Sequence, residues 1–527
     1  MRYNIFLFLT LFLSLIYSNS VNLDLPAVSS ENLGSLVNLN ITAINGTGEI
    51  YFSIPPYVGV SYQESYTQAF NYIKSQNKNL ENYDFYITFS NEKTSLVEGA
   101  SGGVATAVII KSLMENVPVN ESIIITGEIN SMGNILPVGG IPEKLIASYF
   151  SNKSMILIPS SSSVNEKVIC EKLSEGFSFP VYEYDSFNSV YDVYTKNNLR
   201  DINLITLSED NFSNVYNLPE VETHTFFNVI VFDMLTSYNN NMVSLLQNYP
   251  QFMPYFNSIQ EGSSELYNKG YSYSAGNELF LTLETISYLT SSYSDDEFTS
   301  KEDDVYNCLE RTKKNLDMFE GTLEYYIASE VRYVKAKDTI DSYVNESDKP
   351  SIRIYAPALL LRSELWCVSA ESMSTYNKDT DFDREKVKSF VENKLILYSG
   401  NFSSLLNTAR QYYAEGYYGA SLNEIISYEA ELFNCTDYNF TYDWSKMMYN
   451  HAVYLNSSDK YGNNSYNEIS RYACSYERIL REYDSLNEVE KESVFDNTCM
   501  GVCVLLIFIL FILSILYYVL NKGWING

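Results

Sequence analysis

Apolar positions along this chain change their spacing near residue 200. Before it, runs are short and broken by glycine, proline and serine; beyond it, apolar residues step by threes and fours. In the first part, Val104-Ala105-Thr106-Ala107-Val108-Ile109-Ile110 follows a glycine-rich turn and predicts a buried helix. Val181-Tyr182-Glu183-Tyr184 predicts a last strand, and Ser189 to Tyr194 a short closing helix. From Asn197 to Glu222 the pattern weakens, and Asp, Asn and Pro219 interrupt it, so 197–222 reads as a linker.

Residues 223–497 read as an all-α domain. Its clearest signal is Leu309, Leu316, Phe319, Leu323, Ile327, Val331 and Val334, which predicts one apolar stripe on a single long helix. Gly270-Tyr271-Ser272-Tyr273-Ser274-Ala275-Gly276-Asn277-Glu278 is similar to Gly416-Tyr417-Tyr418-Gly419-Ala420-Ser421-Leu422-Asn423-Glu424, at an offset of 146. Each predicts a turn between two antiparallel helices. Such pairs resemble tetratricopeptide units, although their period of roughly 34 residues is not sustained. Paired-helix surfaces hold peptides or partner proteins as readily as they serve as scaffolding.

The two ends have their own pattern. Arg2, the apolar run Ile5 to Ile16 and the small residues Ser18-Asn19-Ser20 predict a secretory leader over 1–20, an uncleaved anchor being the alternative. Gly501 to Leu520 is an uncharged stretch long enough to span a bilayer as a helix. Tyr517, Tyr518 and Trp524 suit the interface, and Lys522 favours an internal tail over 521–527. The expected arrangement is a large exported part, anchored at the cell membrane by its C-terminus.

Composition adds exclusions. A net charge of −30 argues against nucleic-acid binding. Sequons at Asn40, Asn45, Asn120, Asn152, Asn211, Asn345, Asn401, Asn434, Asn439, Asn456 and Asn463 agree with export. Of the seven cysteines, Cys170, Cys308, Cys367, Cys435 and Cys474 lie in the part expected to be exported, while Cys499 and Cys503 lie at or in the expected span; five allow at most two disulfides and one spare thiol, with the pairing open. Abundant tyrosine (47 residues) suggests wet, half-polar surfaces.

Candidate chemistry centres on Glu98-Gly99-Ala100-Ser101-Gly102-Gly103. A serine between glycines lets backbone come close to an acyl group, and a helix starting just after it offers N–H groups to an oxyanion. Thr126-Gly127-Glu128 follows, and then Leu136-Pro137-Val138-Gly139-Gly140-Ile141-Pro142-Glu143-Lys144, with Lys144 lying 43 positions after Ser101. These motifs, in this order and spacing, resemble the Lon proteolytic domain, whose nucleophile and base are a Ser–Lys dyad. Val-Glu-Gly before the serine is similar to the membrane-associated, archaeal type. Gly48-Glu49-Ile50 through Tyr66 resembles the family's opening strands and first helix, Asp84 to Phe89 the strand before the serine, and Met155 to Pro159 the strand after the lysine helix.

The resemblance implies an α+β Lon-protease-like domain over 21–196. It also implies a serine endopeptidase with Ser101 as nucleophile and Lys144 as base. Thr126 would orient the lysine, Gly102 would belong to the oxyanion turn, and Glu98 would hold the lysine in a resting ion pair. A lysine can act as base only when neutral, and Ile141, Leu145 and Ile146 would supply the desolvation. Both histidines, His224 and His451, lie outside this segment, so a Ser–His–Asp triad cannot form within it. No metal or organic cofactor is implied. The sequence contains no Gly-x-x-x-x-Gly-Lys-Ser/Thr, so cleavage of flexible or unfolded protein segments without ATP is expected. Lon-type domains commonly assemble into rings, and homo-oligomerisation stays open. The alternative is a catalytically inactive Lon-like surface protein that binds or scaffolds; self-cleavage in the linker is a third.

Overall fold

The computed structural model describes residues 19–486, apart from 29–33, 54–56, 91–95, 98, 206–217, 222–224, 291–292, 376–381, 402, 434–438 and 458–465. The expected leader core and the expected span at 501–520 therefore lie outside the described residues. Among the described residues, no helix is long and apolar enough to cross a membrane.

The described residues open with a hairpin that the sequence reading missed. Strand β1 (Asn19–Val28) pairs antiparallel with β2 (Gly34–Asn45). Asn19 and Ser20, read as the end of a leader, lie opposite Ala43 and Thr42. On β2, Val37, Leu39, Ile41 and Ala43 are buried at alternate positions, the period-two signature of a strand with one covered face. Next come β3 (Ile50–Phe52), β4 (Tyr57–Val58), helix α1 (Val60–Gln76), β5 (Tyr83–Ser90) and β6 (Leu96–Val97). The first sheet has the order β1-β2-β5-β3, and β4 pairs with β6.

Helix α2 (Gly103–Glu115) is the axle of this half: Val104 to Ile110 are buried on every side. It leads to β7 (Ile123–Ile125), the small pair β8 (Glu128–Ile129) and β9 (Ile135–Leu136), and α3 (Ile141–Phe150). Then follow β10 (Met155–Pro159), α4 (Val164–Phe177), β11 (Val181–Tyr184), α5 (Phe187–Lys196) and β12 (Asn203–Leu204). The second sheet runs β12-β11-β10-β7, with β10 parallel to both neighbours. Strand β12 falls inside the predicted linker and extends this sheet antiparallel to β11.

The rest is helical: α6 (Thr225–Asn248), α7 (Met253–Asn268), α8 (Ser272–Thr290), α9 (Asp295–Asp317), α10 (Leu323–Glu346), α11 (Pro350–Ser374), α12 (Arg384–Leu397), α13 (Ser404–Glu415), α14 (Tyr418–Leu432), α15 (Asp443–Ser457) and α16 (466–486). The glycine-rich repeats sit where the sequence placed them. Gly270 lies between α7 and α8, and Gly416 between α13 and α14, both at positive φ.

The single long helix does not form. Met318 caps α9, and Thr322 in extended conformation starts α10 with Glu324 in its first turn. Leu316, Phe319 and Leu323 are all buried, yet at a corner. The three-and-four spacing therefore runs on through a break in the backbone. Tyrosine also departs from expectation. Tyr184, Tyr194, Tyr238 and Tyr476 are fully buried, and their hydroxyls donate to the carbonyls of Thr126, Ile123, Phe256 and Glu324. A buried phenol that finds a carbonyl keeps its large apolar body without a desolvation penalty.

Candidate active site

Ser101 sits in a single 3₁₀ turn, Ala100–Gly102, that runs into α2. The turn is entered through Gly99 at φ 95°, a conformation that a side chain would resist. Helix α1 holds it in place. The Gly99 N–H donates to Ser61 Oγ (2.8 Å), and Ser65 Oγ donates to the Ala100 carbonyl (2.9 Å). Ser61 and Ser65 are one helical turn apart and so share a face. On the other side, Thr106 Oγ1 donates to the Gly102 carbonyl (2.9 Å) and also contacts Tyr62 Oη (3.0 Å).

The end of β7 meets this turn directly. The Gly127 N–H donates to the Ser101 carbonyl (2.9 Å), and the Val104 N–H donates to the Gly127 carbonyl (3.1 Å). Thr126 is fixed by its own N–H to the Leu157 carbonyl (3.2 Å) and by Tyr184 Oη donating to its carbonyl (2.9 Å). The strand end is thereby pinned from both the second sheet and the serine turn.

Lys144 arrives at the same place from α3. Its Nζ donates to Thr126 Oγ1 (3.2 Å) and to the Gly139 carbonyl (2.8 Å), and the residue is 4% exposed. Burial pushes the amine down to about 8, with the carboxylates of Glu166 and Glu143 opposing. The Ser101 residue is half-buried and Gly139 is exposed, so the arrangement borders the surface.

The Thr126–Gly127 peptide unit thus links the two: Gly127 bonds the Ser101 backbone, Thr126 bonds the Lys144 amine, and Gly102 follows Ser101 in the same turn. Glu98 lies outside the described residues. The sequence reading missed Ser61, Ser65, Tyr184 and the Gly139 carbonyl. Only the i, i+4 serines of α1 carried a local signal.

The helix of Lys144 is itself anchored. Glu166 of α4 accepts from the Ile141 N–H (3.1 Å) and from Ser163 Oγ (3.0 Å), a carboxylate serving the N-terminus of a neighbouring helix. A different serine–base contact, Ser274 Oγ with His451 Nδ1 (3.0 Å), lies sealed between α8 and α15. Burial drives that imidazole down to about 4, so it is a core pair. A hollow of about 590 Å³ lined by Glu220, Gln260, Glu261, Ser264 and Glu265 lies in the helical half and includes none of the residues around Thr126. Among the described residues, no group of His, Cys, Asp and Glu has the arrangement of a metal site.

Residues 29–193 match the family model of the Lon protease (S16) C-terminal proteolytic domain. The Lon protease of Wolbachia pipientis is 30% identical over 153 residues, which is 28% of this chain and 18% of that protein. That of Orientia tsutsugamushi is 32% identical over 152 residues, 28% of this chain and 19% of the relative. Lon protease 1 of Syntrophobacter fumaroxidans is 28% identical over 158 residues, with 29% and 19% covered. The matched part is thus under a fifth of each of these relatives, and no helix beyond α5 falls within the family match.

Proposed function

On the premise that residues 29–193 form a Lon-type proteolytic domain, we propose that the chain is a serine endopeptidase built on Ser101 and Lys144. Neutral Lys144 takes the Ser101 hydroxyl proton as Oγ attacks the peptide carbonyl carbon. The carbonyl oxygen becomes an oxyanion facing backbone N–H groups of the Ser101–Gly102 turn. Lys144 then returns the proton to the departing amine, leaving an ester on Ser101. Water, deprotonated by the same amine, hydrolyses that ester. Thr126 orients the lysine, and its position is inherited from β7.

One observation carries this reading: a lysine amine buried against Thr126, whose neighbour Gly127 is hydrogen-bonded to the backbone of Ser101. Ser101→Ala should abolish hydrolysis of a labelled unfolded protein such as casein without changing the fold. Lys144→Met should reduce the rate roughly 10²–10⁴-fold. Proteolysis unchanged in Ser101→Ala would remove the dyad.

The finer reading is an exported enzyme, anchored at the cell membrane through 501–520 with both large parts outside, that cuts flexible protein segments without ATP. The disulfide between Cys308 and Cys367, and the engagement of Cys474 in another, support an oxidising compartment. The absence of a P-loop motif from this sequence supports nucleotide-independent cleavage by this chain. Protease added to intact cells should digest the large part, alkaline carbonate should fail to extract it, and Mg-ATP should leave the rate unaltered.

A further inference from the structure

The helical half meets the Lon-type half at the helix that carries Lys144. Arg362 on α11 lies with Nη2 3.6 Å from Glu143 Oε1, the carboxylate one residue before Lys144. The same guanidinium forms a two-pronged pair with Glu284 of α8, Nε to Oε1 at 2.8 Å and Nη2 to Oε2 at 3.0 Å, and also reaches Tyr355 Oη (3.4 Å). The side chains of Arg362, Glu143 and Glu284 are 13%, 7% and 6% exposed. Around them, Thr285 Oγ1 donates to Asn165 Oδ1 (3.3 Å), and Lys172 Nζ donates to the Leu289 carbonyl (2.9 Å) and to Tyr249 Oη (3.0 Å).

A carboxylate buried beside a catalytic amine needs a counter-charge, because a buried charge left unpaired is strongly destabilising. The nearest cation on its own helix is Lys144. Were Lys144 to serve, its ammonium form would be favoured and the base would be lost. We propose that Arg362 is a positioning residue for Lys144: it claims Glu143 together with Glu284, and so leaves the lysine amine committed to Thr126 and Gly139. This rests on the Ser101–Lys144 reading above, and it makes the helical half a structural member of the catalytic unit.

The other charged and titratable groups around α3 are accounted for. Glu166 on α4 has the Ile141 N–H and Ser163, and Asp24 on β1 has Lys153. Strands β2 and β10 carry no titratable side chain. Burial pushes the thiol of Cys170 on α4 and the phenol of Tyr355 upward, which keeps both neutral. Lys167 on α4 pairs with Glu183 of β11.

The test uses the full-length chain and casein hydrolysis followed between pH 6.5 and 10, with Arg362→Gln, Arg362→Lys, Glu143→Gln and the double variant Arg362→Gln/Glu143→Gln. In the unaltered chain, kcat/KM should rise with a midpoint near the pKa of about 8 that burial gives Lys144. Arg362→Gln should move the midpoint alkaline by about one unit, a roughly tenfold loss below neutrality that recovers at high pH. Arg362→Lys should hold the midpoint, and the double variant should return it. A structural role alone would lower the rate at every pH without moving the midpoint, and that result overturns the proposal. Should Arg362→Gln not fold, Glu143→Gln decides: its midpoint should move acidward, and an unmoved one overturns the proposal. Hydrolysis that survives Ser101→Ala removes both the dyad and this proposal, whereas an unmoved Arg362→Gln midpoint in a Ser101-dependent enzyme removes this proposal alone.

Discussion

At the scale of single residues, Lys144 works against the fold that holds it. Its amine is held near 8 in the folded chain, against an ordinary value of 10.5. Above about pH 10.5 neither state binds the proton, and Lys144 costs nothing. As pH falls from there toward 8, the unfolded chain takes up a proton that the folded one refuses, and stability drops. Below 8 the full penalty, about 3 kcal/mol, is present. Lys144→Met should therefore raise the melting temperature at pH 7, with the gain shrinking as the titration approaches pH 10. A gain that is flat in pH would mean the amine is not desolvated in solution. What was legible in the sequence also belongs to this scale. Ser101, Thr126 and Lys144 stand in motifs whose glycines, proline and apolar flanks dictate the local backbone. Arg362 was not legible, since it reaches Glu143 across 219 positions with no motif of its own.

At the scale of elements, the serine turn is set by α1 rather than by the turn itself. Ser61 and Ser65 present two hydroxyls to consecutive residues, one accepting from the Gly99 N–H and one donating to the Ala100 carbonyl. Ser65→Ala would leave that carbonyl with the Gly103 N–H as its one remaining donor here and loosen the turn that carries the proposed nucleophile. A fall in kcat of about tenfold with KM nearly unchanged is expected, equivalent to roughly 1–1.5 kcal/mol. A KM effect without a kcat effect would assign Ser65 to substrate binding. The elements also show where periodicity misleads. Residues 309–334 keep one apolar stripe through the corner between α9 and α10, because the bend buries the same face that a straight helix would. The break falls at Thr322, whose extended backbone opens α10. Strand β1 was missed for a different reason: alternation over a short run is a weak signal directly after the apolar residues 5–16.

At the scale of the whole molecule, the halves share one interior. Ile141, Leu145, Val168, Ile169 and Leu173 belong to the same apolar cluster as Phe256, Leu283, Ile286 and Leu359 of the helical part. A domain boundary near 200 is thus a boundary of pattern and not of packing. The Cys308–Cys367 bond ties α9 to α11, the helix of Arg362, across 59 positions of sequence. Closing a loop of that length restrains the unfolded chain by about 4 kcal/mol. The paired change Cys308→Ser with Cys367→Ser should lower the urea midpoint accordingly, read by tryptophan fluorescence, while an unchanged midpoint would show that the bond carries little of the stability.

The reach of Arg362 has a consequence for synthesis. A ribosome working from the N-terminus releases Ser101 and Lys144 long before it makes the residue that completes their surroundings. Until α11 has emerged and folded back, Glu143 has no guanidinium and the outer faces of α3 and α4 have no cover. On the proposed reading, a nascent chain of this design would cut about tenfold more slowly below neutrality until α11 has folded back onto α3.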